Sequence, residues 1–384
     1  MKNIAFMLYS LGSGGIERLF ADLSVALAAC GYQIYFFVID DQTPAYEISG
    51  SIHKIGFTDT KKRWWTPLMA WQHLDGAARL KKKLAIDVTI SAWEYLNLIN
   101  LLTGREQKIP TLHNYRFQSE ITPGMKDGLI EYCFQKLSGR ANPLVCVSKG
   151  IADKAAKRYR GDIITIYNGL NCRQIDEMMV HKPVEGRLWE VKEGSFTFFA
   201  AGRLVKQKNF KNLILAFGRI LAINPQANLV IAGEGPERTA LAGLAGETAP
   251  AGRISLPGSI SNPFYYMRQC DVFVLSSAYE GFGQVITEAL YAEAAIVATD
   301  CLCGPGEILA PAAPLPGELC REQKVYRGEY GLLVENHNVT ALFEGMRLMM
   351  EDQQLRLQYK SKARKRGKDF DMASVLPEWL RLIG

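Results

Sequence analysis

The sequence predicts an α/β protein of two domains, each a parallel sheet flanked by helices, and three observations lead there. The chain has 384 residues, more than one hydrophobic core usually supports. Short apolar runs alternate with longer segments of helical period over nearly the whole length, the pattern of βαβ units. The alternation stops once, between Asn168 and Gly194, where an Asn-Gly pair, Pro183 and several charges take its place. That stretch reads as a linker and hinge.

In the first series, Ile4–Tyr9 is expected as a strand, Ile16–Cys30 as a helix stopped by Gly31, and Gln33–Ile39 as the next strand. Asp87–Ser91, Ile109–Leu112 and Leu144–Val147 continue it. The second series opens at the strand Phe196–Ala200. A helix over Asn209–Ile223 follows, then strands at Asn228–Ala232, Asp271–Leu275, Ala295–Thr299 and Gly331–Val334. A helix-rich segment, Val339–Lys368, and an amphipathic tail, Val375–Ile383, come last. The expected division is residues 1–170 as an N-terminal domain, 171–194 as linker, 195–368 as a C-terminal domain, and 369–384 as a helix that packs back on the first.

Composition narrows the function classes. Hydrophobic residues at 48% and charged residues at 22% suit a globular chain rather than a disordered or fibrous one. No apolar run approaches the roughly 18 residues of a membrane-spanning helix. The opening MKNIAFMLYSLGSGG has too short an apolar stretch for a secretory leader and flows into a glycine turn, so it is expected as the first strand. Cys30, Cys133, Cys146, Cys172, Cys270, Cys301, Cys303 and Cys320 show neither zinc-site pairing nor a disulfide framework, which suits a reducing cytoplasm. The net charge of +6 and pI of about 8.8 favour an acidic partner: nucleotide phosphates, anionic headgroups or nucleic acid. Against nucleic acid, the basic residues are spread out and form no known recognition module.

Chemistry concentrates at the turns that follow strands. Gly12-Ser13-Gly14-Gly15 leads from the first strand into a helix; such glycines let backbone N–H groups approach an anion at a helix N-terminus, although a tight turn alone also calls for them. The run lacks the third glycine of the dinucleotide fingerprint, and Asp40 is the nearest acidic residue to the ribose-binding place. Gly202 to Asn209 follows the strand Phe196–Ala200 and carries Arg203, Lys206 and Lys208. The carboxyl edge of an open α/β sheet is where ligands bind. A guanidinium fork and an ammonium point charge there suit a diphosphate. Glu280 and Glu288 are separated by seven residues and bracket a Gly-Phe-Gly turn, which places the first in a loop and the second in a helix. Carboxylates in such a pair accept hydrogen bonds from sugar or ribose hydroxyls. Gly304-Pro305-Gly306-Glu307 follows the strand Ala295–Thr299 and suits a rigid turn with exposed N–H groups.

Four motifs taken together carry a family resemblance. They are G-G-x-E at Gly14–Glu17, G-R-L-x-x-x-K-N at Gly202–Asn209, E-G-F-G-x-x-x-x-E at Glu280–Glu288, and A-T-D-C-x-x-G-P-x-E-I-L at Ala298–Leu309. The chain thereby resembles glycosyltransferase family 4, densely over Phe198–Leu309 and thinly between Asp41 and Pro110. The resemblance implies a GT-B fold, two Rossmann-like domains facing across a cleft, and sugar transfer with retention of anomeric configuration. It implies a nucleotide-sugar donor, UDP-linked by family frequency, with no metal and no other cofactor. The implied donor-binding residues are Gly14, Gly15, Gly202, Arg203, Lys208, Glu280, Gly281, Phe282, Gly283, Gln284, Glu288 and Gly304. Among these, Arg203 and Lys208 would hold the diphosphate, Glu288 the ribose and Glu280 the hydroxyls of the transferred sugar. His113, just after the strand Ile109–Leu112, matches the family histidine near the reacting sugar; with Arg203, Lys208 and Glu280 it makes the implied catalytic set. A neutral imidazole there would donate to a sugar hydroxyl or orient the site. A nucleotide-sugar epimerase of the same architecture and a noncatalytic nucleic-acid binder are the alternatives from other classes.

Lys61-Lys62-Arg63-Trp64-Trp65 leads into Thr66–Ala78 and then Arg79, Lys81, Lys82 and Lys83. Cations interleaved with Trp64, Trp65 and Trp71 suit the boundary between water and lipid; a helix with core tryptophans and wet lysines is an equal alternative. Family members that build lipopolysaccharide, capsule or lipid-linked oligosaccharides use such a surface. Reversible attachment of segment 61–83 to the inner, anionic face of a membrane is therefore expected, with a glycolipid or oligosaccharide as acceptor.

Overall fold

The computed structural model describes residues 2–56, 67–114, 125–186, 188–189, 194–313, 319–320 and 323–384. The chain divides into two compact units: Met1–Leu170 with Met372–Gly384, and Asn171–Asp371.

The first unit alternates strand and helix: β1 Asn3–Leu8, α1 Gly15–Ala29, β2 Gln33–Val38, β3 Ser51–Lys54, α2 Pro67–Lys83, β4 Val88–Ala92, α3 Glu94–Leu102, β5 Gln107–Leu112, α4 Met125–Leu137, β6 Leu144–Cys146, α5 Lys149–Ala156 and β7 Ile163–Thr165. The strands form one parallel sheet in the order β3-β2-β1-β4-β5-β6-β7. Strand β1 is apolar without interruption because both faces of the sheet are covered. Ile4, Phe6 and Leu8 point into a core with Leu19, Phe20 and Leu23 of α1. Ala5 and Met7 point the other way, against Ala77 of α2 and Leu96 and Ile99 of α3.

The second unit holds α6 Cys172–Val180, β8 Phe196–Ala201, α7 Phe210–Leu221, β9 Ala227–Ala232, α8 Arg238–Thr248, β10 Ile254–Gly258, α9 Pro263–Gln269, β11 Val272–Leu275, α10 Gln284–Tyr291, β12 Ala295–Thr299, α11 Pro305–Leu309, β13 Val325–Arg327, β14 Leu332–Val334, α12 Val339–Glu351 and α13 Gln353–Lys368. Its sheet runs β10-β9-β8-β11-β12-β14-β13, with β13 antiparallel to β14. Helix α7 buries Phe210, Leu213, Ile214, Phe217 and Ile220, the spacing of a single helical face. A last helix, α14 Met372–Ile383, belongs to the first unit and adds Val375, Trp379 and Ile383 to the core beside α1.

Two local expectations need correction. The stretch expected as linker contains α6, which Asn171 starts by accepting a hydrogen bond from the Gln174 N–H at 3.1 Å. Lys81, expected among wet cations, is buried. The helix-rich segment Val339–Lys368 is present as two helices: Asp352 leaves helical backbone (φ −91°, ψ 83°) and its carboxylate caps α13 through the Leu355 N–H.

Both sheets reverse their direction of winding next to the first strand. In the first unit β1 is followed by β2 on one side while β4 pairs on the other; in the second the same relation holds for β8, β9 and β11. The loops after β1 and β4, and those after β8 and β11, therefore flank the crevice at each sheet's topological switch point, the preferred ligand position in open α/β sheets.

Candidate active site

In the second unit, four interactions hold the loops after β8 and β11 to each other. The Ala278 N–H donates to the Gln207 carbonyl at 2.8 Å, Ser276 Oγ to the Lys208 carbonyl at 2.8 Å, and Gln207 Nε2 to the Tyr279 carbonyl at 2.9 Å. The fourth is ionic: Lys208 Nζ lies 2.6 Å from Glu280 Oε1, which also accepts from Ser277 Oγ at 2.6 Å. Glu280 is only 8% exposed, so its charge is balanced by Lys208 inside the site rather than by water. Arg203 is different. It is exposed and no described residue bonds its guanidinium, which leaves its donors available at the strand edge. Glu288 sits in α10, half-buried.

Glycines fix the shape of this edge. Gly283 takes φ +88° at the start of α10, a conformation that side chains rarely adopt. A Cβ on Gly304, at φ +89°, would lie 1.8 Å from the Phe282 carbonyl oxygen, so the loops after β11 and β12 touch backbone to backbone. The expectation of exposed amides at Gly304–Leu309 fails. All of these residues are buried, and the Gly304 N–H donates to Glu307 Oε1 at 3.4 Å. Sequence reasoning missed Gly233 and Gly235, after β9. A Cβ there would meet the Gly202 and Leu204 carbonyl oxygens at 2.0 and 2.4 Å; the Gly-Glu-Gly-Pro run directly after a strand was the available signal.

In the first unit, Gly14 precedes and Gly15 begins α1. A small open recess at this sheet edge is lined by Ile16, Trp93, Glu94, Thr111, Leu112, His113 and Asn114. His113 and the first turn of α1, far apart in sequence, are thus brought together. Burial pushes the imidazole down to about 3, so His113 is neutral at physiological pH. Trp93 holds φ +73°, unusual for a large residue, and its indole Nε1 is buried without a hydrogen-bond partner among the described residues. Trp93 and Glu94 were not anticipated, since neither belongs to a recognisable motif.

Behind the recess, Lys81 Nζ is 2.6 Å from Glu106 Oε1, both side chains almost fully buried. Desolvation lowers the ammonium to about 8 despite its carboxylate partner. Among the described residues, no group of three or more His, Cys, Asp or Glu side chains is placed to hold a metal ion, and no helix is long and apolar enough to cross a membrane. Of the expected lipid-facing residues, Trp71 is 60% exposed on α2 together with Leu68; Lys61, Lys62, Arg63, Trp64 and Trp65 lie outside the described residues.

Two family models match the chain in tandem, one for each half. Residues 13–174 match glycosyltransferase family 4 and residues 187–366 match the glycosyl transferases group 1. The chain belongs to the GT-B glycosyltransferases of the family 4 type. This glycosyltransferase is 27% identical, over the full length of both proteins, to an N-acetylgalactosaminyltransferase of Campylobacter jejuni named for its action on N-acetylgalactosamine-N,N'-diacetylbacillosaminyl-diphospho-undecaprenol. Solved structures agree on the fold. Sucrose-phosphate synthase from Thermosynechococcus elongatus is similar at TM-score 0.79 and 18% identity, covering 100% of the glycosyltransferase and 98% of that chain. The Anabaena protein HepE, solved with UDP-glucose, is similar at TM-score 0.75 and 16% identity over 99% of each chain. The transferase reading therefore replaces both the epimerase and the nucleic-acid alternatives.

Proposed function

We propose that the second unit binds a nucleotide-diphosphate sugar, UDP-linked, and that the enzyme transfers its hexose or N-acetylhexosamine with retention onto a lipid-linked or lipopolysaccharide-type acceptor. The observation that carries this reading is the switch-point arrangement of Arg203, Lys208 and Glu280. Breaking the anomeric bond places negative charge on the departing diphosphate. Fixed cations at that oxygen stabilise the transition state more than the ground state. Arg203 binds the diphosphate by its fork of donors and Lys208 as a point charge. Glu280 accepts from hydroxyls of the transferred sugar while holding Lys208 in place, and Glu288 accepts from the ribose. Gly14 and Gly15 admit a ligand close to the first unit's backbone, and His113 contacts the reacting sugar from the recess. The UDP in the HepE structure and the undecaprenol-linked acceptor named for the Campylobacter relative support the choice of donor and acceptor.

A panel of nucleotide sugars in a thermal-shift assay tests the donor assignment, because a ligand bound only by the folded state raises apparent stability. A UDP-sugar should give the largest rise, and Arg203→Ala should weaken its binding by about tenfold or more, the loss of one charge-assisted contact of ~1.5–3 kcal/mol. Equal shifts in the wild type and in Arg203→Ala would remove Arg203 from the donor site. A product of inverted configuration would count against retention.

The same proposal includes reversible attachment to an anionic membrane through 61–83. Exposed Trp71 and Leu68 beside the exposed cations Arg79, Lys82 and Lys83 support it. The partition coefficient onto vesicles rich in anionic lipid should fall by about thirtyfold in Trp71→Ala/Lys82→Ala/Lys83→Ala, as loss of roughly 1 kcal/mol for each of the two cations predicts. Undiminished binding would exclude this surface.

A further inference from the structure

A chain of hydrogen bonds runs behind His113, and each donor in it is set by the one before. Lys81 Nζ can only donate, so Asn100 Oδ1 accepts from it at 2.8 Å. That turns Asn100 Nδ2 toward Ser91 Oγ at 3.0 Å and the Thr89 carbonyl at 3.1 Å. Ser91 Oγ, having accepted, gives its own hydrogen to Asn97 Oδ1 at 2.8 Å, and Asn97 Nδ2 donates to the Thr111 carbonyl at 2.9 Å. The end of β5 is thereby held in one position.

Thr111 makes the last link. Its hydroxyl lies 2.8 Å from the Ser91 carbonyl oxygen and 2.7 Å from His113 Nε2, with a single hydrogen for the two. The carbonyl can only accept. The histidine ring can supply a hydrogen from either nitrogen. Contacts this short each need a hydrogen between their heavy atoms, so the hydroxyl hydrogen goes to Ser91 and Nε2 carries the ring proton.

We propose that Thr111 is a positioning residue that locks His113 in its Nε2–H tautomer, so that Nδ1 serves as a hydrogen-bond acceptor for a substrate hydroxyl in the recess. This deepens the reading of the recess as a substrate site and rests on it. It also reverses the role expected of the ring: His113 receives a hydrogen bond from the sugar or acceptor instead of donating one.

Long-range proton–nitrogen correlation spectra of the full chain labelled with ¹⁵N-histidine test the lock without any ligand. The chain has five histidines, and His113→Gln identifies the signal of interest. The wild type should show protonated Nε2 and bare Nδ1, Thr111→Val a mixture of tautomers, and Thr111→Ser the wild-type pattern. Turnover should follow, falling about tenfold in Thr111→Val with KM for the donor within about twofold, and recovering in Thr111→Ser. A proton on Nδ1 in the wild type, or tautomers unchanged by Thr111→Val, would overturn the lock. A normal turnover in Thr111→Val with the tautomers mixed would overturn the acceptor role of Nδ1. Donor binding, measured separately through Arg203, tells either failure apart from failure of the glycosyl-transfer reading.

Discussion

Glu280→Ala and Lys208→Ala should each lower turnover by about a hundredfold to a thousandfold, the scale of losing one preorganised charge-stabilising group. The ion pair explains why both changes are severe. In the proposed site, Lys208 would face the departing phosphate only while Glu280, 2.6 Å away and itself held by Ser277, fixes the ammonium. Residues that work as one unit show strongly non-additive losses. The double variant should therefore be no more than a few-fold slower than the worse single one, as a mutant cycle on a contacting pair predicts. Glu280→Gln keeps a partner for Ser277 but gives up the charge, and it should resemble Glu280→Ala in turnover while melting closer to the wild type. Steady-state kinetics with melting curves check each statement. Near-normal turnover in either single variant would remove its residue from catalysis.

Glu106→Ala should destabilise the first unit by about 3–5 kcal/mol, because it strands a buried ammonium. Lys81 has its other contacts among the oxygens of Asn100 and Thr103, which cannot replace a full negative charge. The pair Lys81→Met/Glu106→Leu should be milder than Glu106→Ala, since two apolar side chains leave no charge to solvate. The effect depends on pH in a defined direction. In the wild type the ammonium titrates at about 8 in the folded chain, below its ordinary 10.5. The unfolded chain therefore holds the extra proton between these values, and this group's contribution to stability is gained as pH rises through that window and lost as it falls. Without Glu106 the folded value drops further and the window extends to lower pH. Urea titrations should accordingly show a larger Glu106→Ala penalty at pH 7 than at pH 10. A penalty independent of pH would mean that Lys81 is not the group responsible.

Much of the fold was legible because parallel strands covered on both faces are apolar without interruption. Ala295–Thr299 was placed to the residue, and β1, β2, β8 and β9 to within one at either end. The strands left out are peripheral. In β3, residues 51–54 are mostly exposed, and β7 and β10, 3 and 5 residues long, are only half-buried, so no sustained apolar run marked them. Asp352 illustrates a second limit: a capping carboxylate within a long polar helix pattern splits it without disturbing the periodicity. At the site, Arg203, Lys208, Glu280 and Glu288 were visible through their motifs. Their partners were not. The contact of Lys208 with Glu280 joins residues 72 apart, and the burial of Lys81 depends on Glu106, which sequence spacing does not associate with it. Trp93 carries no motif at all; only its backbone conformation and orphan indole mark it.

The central claim is that the crevice between β8 and β11 receives a pyrophosphate, and a crystal structure of the chain with UDP or a UDP-sugar tests it most directly. The account predicts phosphate oxygens within hydrogen-bonding distance of the Arg203 guanidinium and of Lys208 Nζ, with the ribose hydroxyls on Glu288. A diphosphate seated away from Arg203 and Lys208 would contradict it.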